Sequence, residues 1–172
     1  MSKLLYLDGQ LLLTIQRLTK HKLLDKFFKT YTRLGDAGAM WIILGLVLIA
    51  IDSTRDTGLF LMLTLTITWI LNTVILKKFL KRTRPFEVVE GVRLLIKSPK
   101  DTSFPSGHSS SSMACAMAVL LTAGNVLGMT CLVLALLMCF SRIYVGVHFP
   151  FDVIVGAFVG IIITIVLFLI IF

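Results

Sequence analysis

Acidic residues are scarce in this 172-residue chain: nine Asp and Glu stand against seventeen Lys and Arg. They form no carboxylate cluster, so a magnesium site of the usual kind has no ligands, and no metal or cofactor is expected. Charged residues of both signs make up only 15% of the chain, far too few for an ordinary soluble domain. The three cysteines, Cys115, Cys131 and Cys139, are odd in number, lie inside apolar runs and show no CxxC spacing. They read as small packing residues, which excludes a disulfide framework or a thiolate metal site. Met1–Gln10 lacks a basic stretch followed by an apolar core and a small-residue cleavage site, so no removable signal peptide is expected. Internal repeats and low-complexity segments are absent.

What is present is apolar. The chain is 57% hydrophobic with a mean hydropathy of +0.95. It reads as one all-α integral membrane domain, residues 1–172, with no room for a second. A bilayer core needs about 20 apolar residues as helix. Five runs qualify or nearly do: Gly38–Ile51, Leu59–Leu76, Ser109–Ala123, Val126–Phe140 and Phe151–Phe172. The third opens on four serines and joins the fourth through a tight Gly124-Asn125 turn, so the two read as a helical hairpin. In Lys3–Arg33, leucines and Ile15 recur at helical spacing among Lys20, Lys22, Lys26 and Lys29. That pattern predicts amphipathic helices over residues 1–36 lying on the membrane, with the spanning core in 37–172. A sixth span there is possible, but Arg17 and its neighbours make insertion costly. The net charge of +8 is carried beside the spans, where it suits anionic lipid headgroups; nucleic acid is not an expected partner.

Three polar islands interrupt the oily runs: Lys77–Pro85 (KKFLKRTRP), Pro105–His108 (PSGH) and Ser141–Asp152 (SRIYVGVHFPFD). Ser106 can cap the helix that follows it, and Gly107 lets a ligand approach the backbone, so the free N–H groups of the first turn can cradle a phosphate. The same tetrapeptide also fits an ordinary capped helix start. Pro150 suits a first helical turn, which puts Asp152 inside that turn and His148 just before it. Asp152 can then fix the His148 tautomer for nucleophilic attack, or simply complement the helix dipole. Arg142 upstream can hold a tetrahedral oxyanion with its planar fork. If the first island stays helical, Lys77 and Arg84 share a face two turns apart. Lys78, Lys81 and Arg82 read as topology anchors. The long polar segment Phe86–Ser103 has the length of a functional loop.

Together the islands give K-x6-R-P, P-S-G-H and S-R-x5-H-x3-D. This resembles the signature of the type 2 phosphatidic acid phosphatase superfamily at every defining position, over roughly Leu59 to Phe172. The superfamily includes lipid phosphatases, polyprenyl pyrophosphate phosphatases, glucose-6-phosphatase and vanadium haloperoxidases. The resemblance implies that His148 is the nucleophile of a phosphohistidine mechanism and that Asp152 orients it. It implies that His108 protonates the leaving oxygen and then activates water. Lys77, Arg84, Ser106, Gly107 and Arg142 would hold the phosphate, and no divalent metal would be required. Pro85 and Ser141 would shape the backbone. Many bacterial members place the first motif after a third span, whereas here it follows the second.

The expected function is hydrolysis of a phosphate or pyrophosphate monoester on a membrane lipid. Undecaprenyl pyrophosphate is favoured because short loops leave little surface for reading an elaborate headgroup. Phosphatidylglycerol phosphate and phosphatidic acid are the alternatives, as is phosphotransfer to another lipid. A non-enzymatic membrane protein is disfavoured by the intact motifs, and haloperoxidase chemistry by the membrane setting. The expected location is the cell membrane, multi-pass. Sixteen of the seventeen Lys and Arg fall on the motif side, with Arg55 opposite. The positive-inside rule puts that side in the cytoplasm, while the resemblance implies the outer face. The resemblance is given more weight, since anion-site charges inflate the count.

Overall fold

The computed structural model describes residues 3–172, with Thr73 by its backbone alone. Among the described residues every regular element is helical. Two helices, α1 (Lys3–Leu18) and α2 (Lys22–Leu34), precede a hairpin of α3 (Ala39–Ala50) and α4 (Arg55–Trp69). The latter widens into a π-helical stretch, Ile70–Leu76, and ends in the single turn α5 (Lys77–Phe79). After the short α6 (Pro85–Val88) come α7 (Gly107–Ala123), α8 (Asn125–Tyr144) and α9 (Pro150–Ile171).

α7 is the central helix, packed on α4, α8 and α9. Its composition explains this. Ser109, Ser110, Ser112, Ala114, Cys115, Ala116 and Ala118 are all buried, and such small side chains let three helices approach closely. Two of its serines also satisfy polar atoms from neighbours. Trp41 Nε1 donates to Ser112 Oγ at 2.9 Å, and Asn72 Nδ2 donates to Ser110 Oγ at 2.8 Å. The closest helix contact is with α9. A Cβ at Gly156 would lie 2.6 Å from the Ser106 carbonyl oxygen, and one at Gly160 would lie 2.1 Å from that of Ser110. Only hydrogen fits at either position.

By length and composition three helices can cross a membrane: Asp52–Phe79, Asn125–Tyr144 and Pro150–Ile171. The pair Lys22–Leu34 and Asp36–Ala50, bent by 56°, would make a fourth. At 17 residues α7 is short for a membrane span, and it sits inside the bundle. α1 has 16 residues and is not among the candidate spans.

The N-terminal helices do not merely rest against the rest. α1 turns Asp8, Gly9, Leu12 and Gln16 inward and leaves Leu4, Leu7, Leu11 and Leu18 exposed. Gln16 donates to the carbonyls of Arg93 and Tyr144 at 3.0 and 2.9 Å and accepts from the Arg93 N–H. The segment between α6 and α7, expected to be a polar loop, is anchored by apolar residues. Leu94, Leu95 and Ile96 pack with Phe28, Tyr144, Val145 and Val147, and the Leu95 N–H bonds the Val145 carbonyl.

Candidate active site

The three islands meet at one end of the bundle, where α4–α5 and α8 finish and α7 and α9 begin. The first is not a continuous helix. It leaves helical geometry after Phe79, and 80–84 carries no regular structure up to Pro85 at the start of α6. Lys77 and Arg84 therefore do not share a helical face, as the sequence suggested. They converge by another route, since both bond the carboxylate of Asp101: Lys77 through Nζ, and Arg84 through Nη2 at 2.7 Å. Arg84 is 3% exposed; its Nε donates to the Asp101 carbonyl and its Nη1 to the Val147 carbonyl, one residue from His148.

At the second island Ser106 is the N-cap of α7. Its Oγ accepts from the Ser109 N–H and from Ser109 Oγ at 2.8 Å, so this buried side chain serves the helix end and does not line the cavity described below. Gly107 and His108 do line it. His108 Nε2 lies 3.0 Å from Asp36 Oδ1. The Ser106 N–H donates to the Asp152 carbonyl at 3.1 Å, which ties the second island to the third.

The third island turns sharply after α8. Gly146 has φ +81, and a Cβ there would meet the Arg93 carbonyl oxygen at 2.4 Å, so a side chain is excluded on both counts. The turn delivers His148 just ahead of Pro150, the first residue of α9. Asp152 caps that helix by accepting from the Phe149 N–H at 3.0 Å. The same oxygen, Oδ2, accepts from Ser103 Oγ at 2.5 Å and lies 3.7 Å from His148 Nδ1. His148 and Asp152 are 2% and 0% exposed. Burial, reinforced by the charges of Arg142 and Arg84 and opposed by the nearby Asp152 carboxylate, pushes His148 down to about 3 from its ordinary 6.5. The imidazole is therefore neutral at physiological pH.

A cavity of about 380 Å³ opens between these elements. Five cations line it: Lys77, Arg84 and Arg142 from the islands, with Arg33 of α2 and Lys97 of the connecting segment. Asp36 and Asp101 are its two carboxylates, and His108 and His148 also reach it. Burial alone would raise Asp101; its hydrogen bond to Lys77 and the charges of Lys77 and Arg84 bring it down to about 2. Arg142 is buried and donates from Nη1 to Thr32 Oγ1, while its Nε has no partner among the described residues. Arg142 also lines the cavity, and a buried guanidinium there suits an anionic ligand. No group of three His, Cys, Asp or Glu suited to a metal occurs among the described residues.

Residues 57–172 match the PAP2 superfamily. The chain belongs to that superfamily. It is 36% identical to the undecaprenyl-diphosphatase of Sulfolobus acidocaldarius over 121 residues, 70% of this chain and 58% of that one. It is 40% identical to the undecaprenyl-diphosphatase BcrC of Bacillus subtilis over 85 residues, 49% of this chain and 43% of that one. The chain thus spans about half the length of the curated relatives it matches. The crystal structure of Aquifex aeolicus LpxE superposes with a TM-score of 0.80 at 32% identity, covering 91% of this chain and 92% of that one. A PAP2-type phosphatidylglycerolphosphate phosphatase from Bacillus subtilis shares the fold, with a TM-score of 0.75 at 24% identity over 96% of this chain and 85% of that one. The PAP2 motifs thus sit on a helical membrane bundle, as the sequence implied.

Several residues of this PAP2 site were not read from the sequence. Thr32, Arg33 and Asp36 lie before the family match, and Asp101 and Ser103 lie in the connecting segment. Arg82 was read as a topology anchor. Its side chain is in fact only 19% exposed and paired with Asp8 and Asp152. It could not remain an anchor because the chain leaves helical geometry at Leu80 and carries Arg82 inward.

Proposed function

We propose that this PAP2 protein is a lipid phosphatase that hydrolyses a polyprenyl diphosphate, undecaprenyl diphosphate in the first instance, to the monophosphate. The observation that carries the reading is the cavity, where five cations and two histidines converge beside helices that can cross a membrane. A lipid headgroup can enter there with its tail still in the bilayer. Asp152 and Ser103 engage the Nδ1 side of His148, which leaves Nε2 for the cavity. The Nε2 lone pair attacks the terminal phosphorus as the bridging P–O bond breaks, and His108 protonates the departing oxygen. Water then attacks the phosphohistidine, giving its proton to His108 and freeing inorganic phosphate. Lys77, Arg84, Arg142 and the Gly107 backbone hold the transferring group, with Ser106 supporting that backbone as the helix cap. Asp101 occupies Lys77 and Arg84 as a substrate phosphate would, and is displaced on binding.

A diphosphate fits better than a single phosphate because of Arg33 and Lys97. Neither belongs to a motif, and neither side chain makes a hydrogen bond or salt bridge among the described residues, although the Arg33 charge acts on Asp36. They supply charge for a second phosphoryl group behind the first. The names of the similar undecaprenyl-diphosphatases favour the same substrate class.

We place the exposed leucines of α1 in the membrane interface, over residues 1–36, and the cavity on the extracytoplasmic face. Seven of the sixteen basic residues on that side line the cavity or pair with Asp8 and Asp25, which leaves nine against Arg55, so the placement rests on the family resemblance and not on the charge count. The test is phosphate release by purified protein from a panel of polyprenyl diphosphate, phosphatidylglycerol phosphate and phosphatidic acid, in excess EDTA. Fastest release from the diphosphate supports the reading. A phosphorylated acceptor lipid without free phosphate identifies a transferase, and strict magnesium dependence contradicts the mechanism.

A further inference from the structure

A half-buried arginine of the first island and a buried aspartate of α1 form a chain that ends on the aspartate behind His148. Arg82 donates from Nη1 to Asp152 Oδ1 at 2.5 Å and from Nη2 to Asp8 Oδ2 at 2.7 Å. Its guanidinium carbon lies 4.1 Å from the centre of the Phe149 ring. Asp8 belongs to α1, far upstream of the family match, and its Oδ1 accepts from the Phe151 N–H in the first turn of α9 at 3.1 Å. Ser103 closes the ring. Its N–H bonds the Arg82 carbonyl at 2.9 Å and its hydroxyl bonds Asp152 Oδ2.

We propose that Asp8 and Arg82 are positioning residues that fix the orientation and effective charge of Asp152 during catalysis, making the N-terminal helix part of the catalytic apparatus. The inference rests on His148 being the nucleophile. Arg82 grips Oδ1 and leaves Oδ2 turned to His148. A guanidinium paired with Asp152 alone would cancel the carboxylate just when phosphorylation of Nε2 makes the imidazole cationic. Asp8 keeps the three-membered chain at a net charge of −1, so Asp152 can still stabilise that cation. A purely structural pair would hold α1 to α9 and nothing more, and it would affect folding without a selective effect on turnover.

The experiment uses the full chain in detergent, measuring kcat, KM and thermal unfolding for Asp8→Asn, Asp8→Glu and Arg82→Lys. Asp8→Asn keeps the shape and removes the charge. It should lower kcat by about 10- to 100-fold, the usual cost of losing a group that orients a reacting residue, with KM within about twofold. Asp8→Glu should recover most of that loss. Wild-type kcat in a folded Asp8→Asn protein, or an effect on KM alone, overturns the inference. If Asp8→Asn does not fold, Arg82→Lys decides. It preserves the charge sum but loses the two-pronged grip, so kcat should fall with KM unchanged, and wild-type kcat overturns the proposal. His148→Ala is measured alongside. An active His148→Ala protein sinks the nucleophile assignment itself, whereas an inactive one beside a fully active Asp8→Asn protein sinks only this inference.

Discussion

Adding one methyl group at Gly156 should uncouple the second and third motifs. The new Cβ would stand 2.6 Å from the Ser106 carbonyl oxygen and 3.2 Å from its nitrogen, against the 3.4 Å at which ordinary contact begins. Neither obstacle is a flexible side-chain end, so the helices must separate by about 0.8 Å. The Ser106–Asp152 backbone bond, now 3.1 Å, then stretches to about 3.9 Å, outside hydrogen-bonding range. Overpacking of this kind costs about 1–3 kcal/mol of stability. The same shift moves the start of α7, with Gly107 and His108, away from His148 and Asp152. A misplacement near 1 Å costs on the order of 100-fold in rate. Gly156→Ala should therefore remain folded in detergent, unfold at a lower temperature and release phosphate at a few per cent of the wild-type rate. Gly160→Ala is the control. It meets Ser110 more closely, at 2.1 Å, but one turn farther from the chemistry. It should lose at least as much stability, with less loss of turnover per degree. Wild-type rate and unfolding temperature in Gly156→Ala would refute the idea that this contact aligns the motifs.

Replacing Arg33 and Lys97 together by Gln should raise KM for a polyprenyl diphosphate at least about tenfold, one lost charge contact being worth about 1 kcal/mol or more. KM for a lipid monophosphate should stay within about twofold, and equal effects on both would remove the second-phosphate argument. His148 titrates at about 3 when folded and near 6.5 when unfolded, so below 6.5 the unfolded chain binds a proton that the folded one refuses. Its contribution to stability is complete above pH 6.5 and is lost as pH falls toward 3. His148→Gln should show a shallower drop in unfolding temperature across that window, and parallel curves would contradict the burial argument. A cysteine at Ser98, with the native cysteines replaced, should react with an impermeant thiol reagent on intact cells. Protection of Ser98→Cys together with labelling of Asp56→Cys would place the cavity in the cytoplasm.

The bundle was legible because apolar runs of membrane length and three polar islands dominate the composition, and each island proved to sit at a helix end. Eight site residues were read together because their spacing carries the PAP2 motifs: Lys77, Arg84, Gly107, His108, Arg142 and His148 line the cavity, Asp152 stands behind His148, and Ser106 caps α7. The route taken by Lys77 and Arg84 was not legible, because nothing local marks the loss of helix at Leu80 before Pro85. Asp36, Asp101 and Ser103 were hidden for another reason. They belong to segments with no periodicity, and only the tertiary return of those segments to the cavity gives them partners. Arg82 looked like an anchor because a basic residue after a span usually is one. The available signal was Asp8, a lone acid on the inward face of an amphipathic helix, which needs a buried cation.

On the proposed mechanism, His148 carries the phosphoryl group between substrate and water. The most direct test is a reaction with lipid diphosphate labelled in the terminal phosphate, quenched in alkaline denaturant, followed by digestion at alkaline pH and identification of the modified peptide. An acid-labile, base-stable phosphoryl group is expected on His148 in the wild-type protein, accumulating when His108 is replaced by Ala, with neither label nor phosphate release in a folded His148→Ala protein. Phosphate release persisting in His148→Ala, or label found on a different residue, would contradict it.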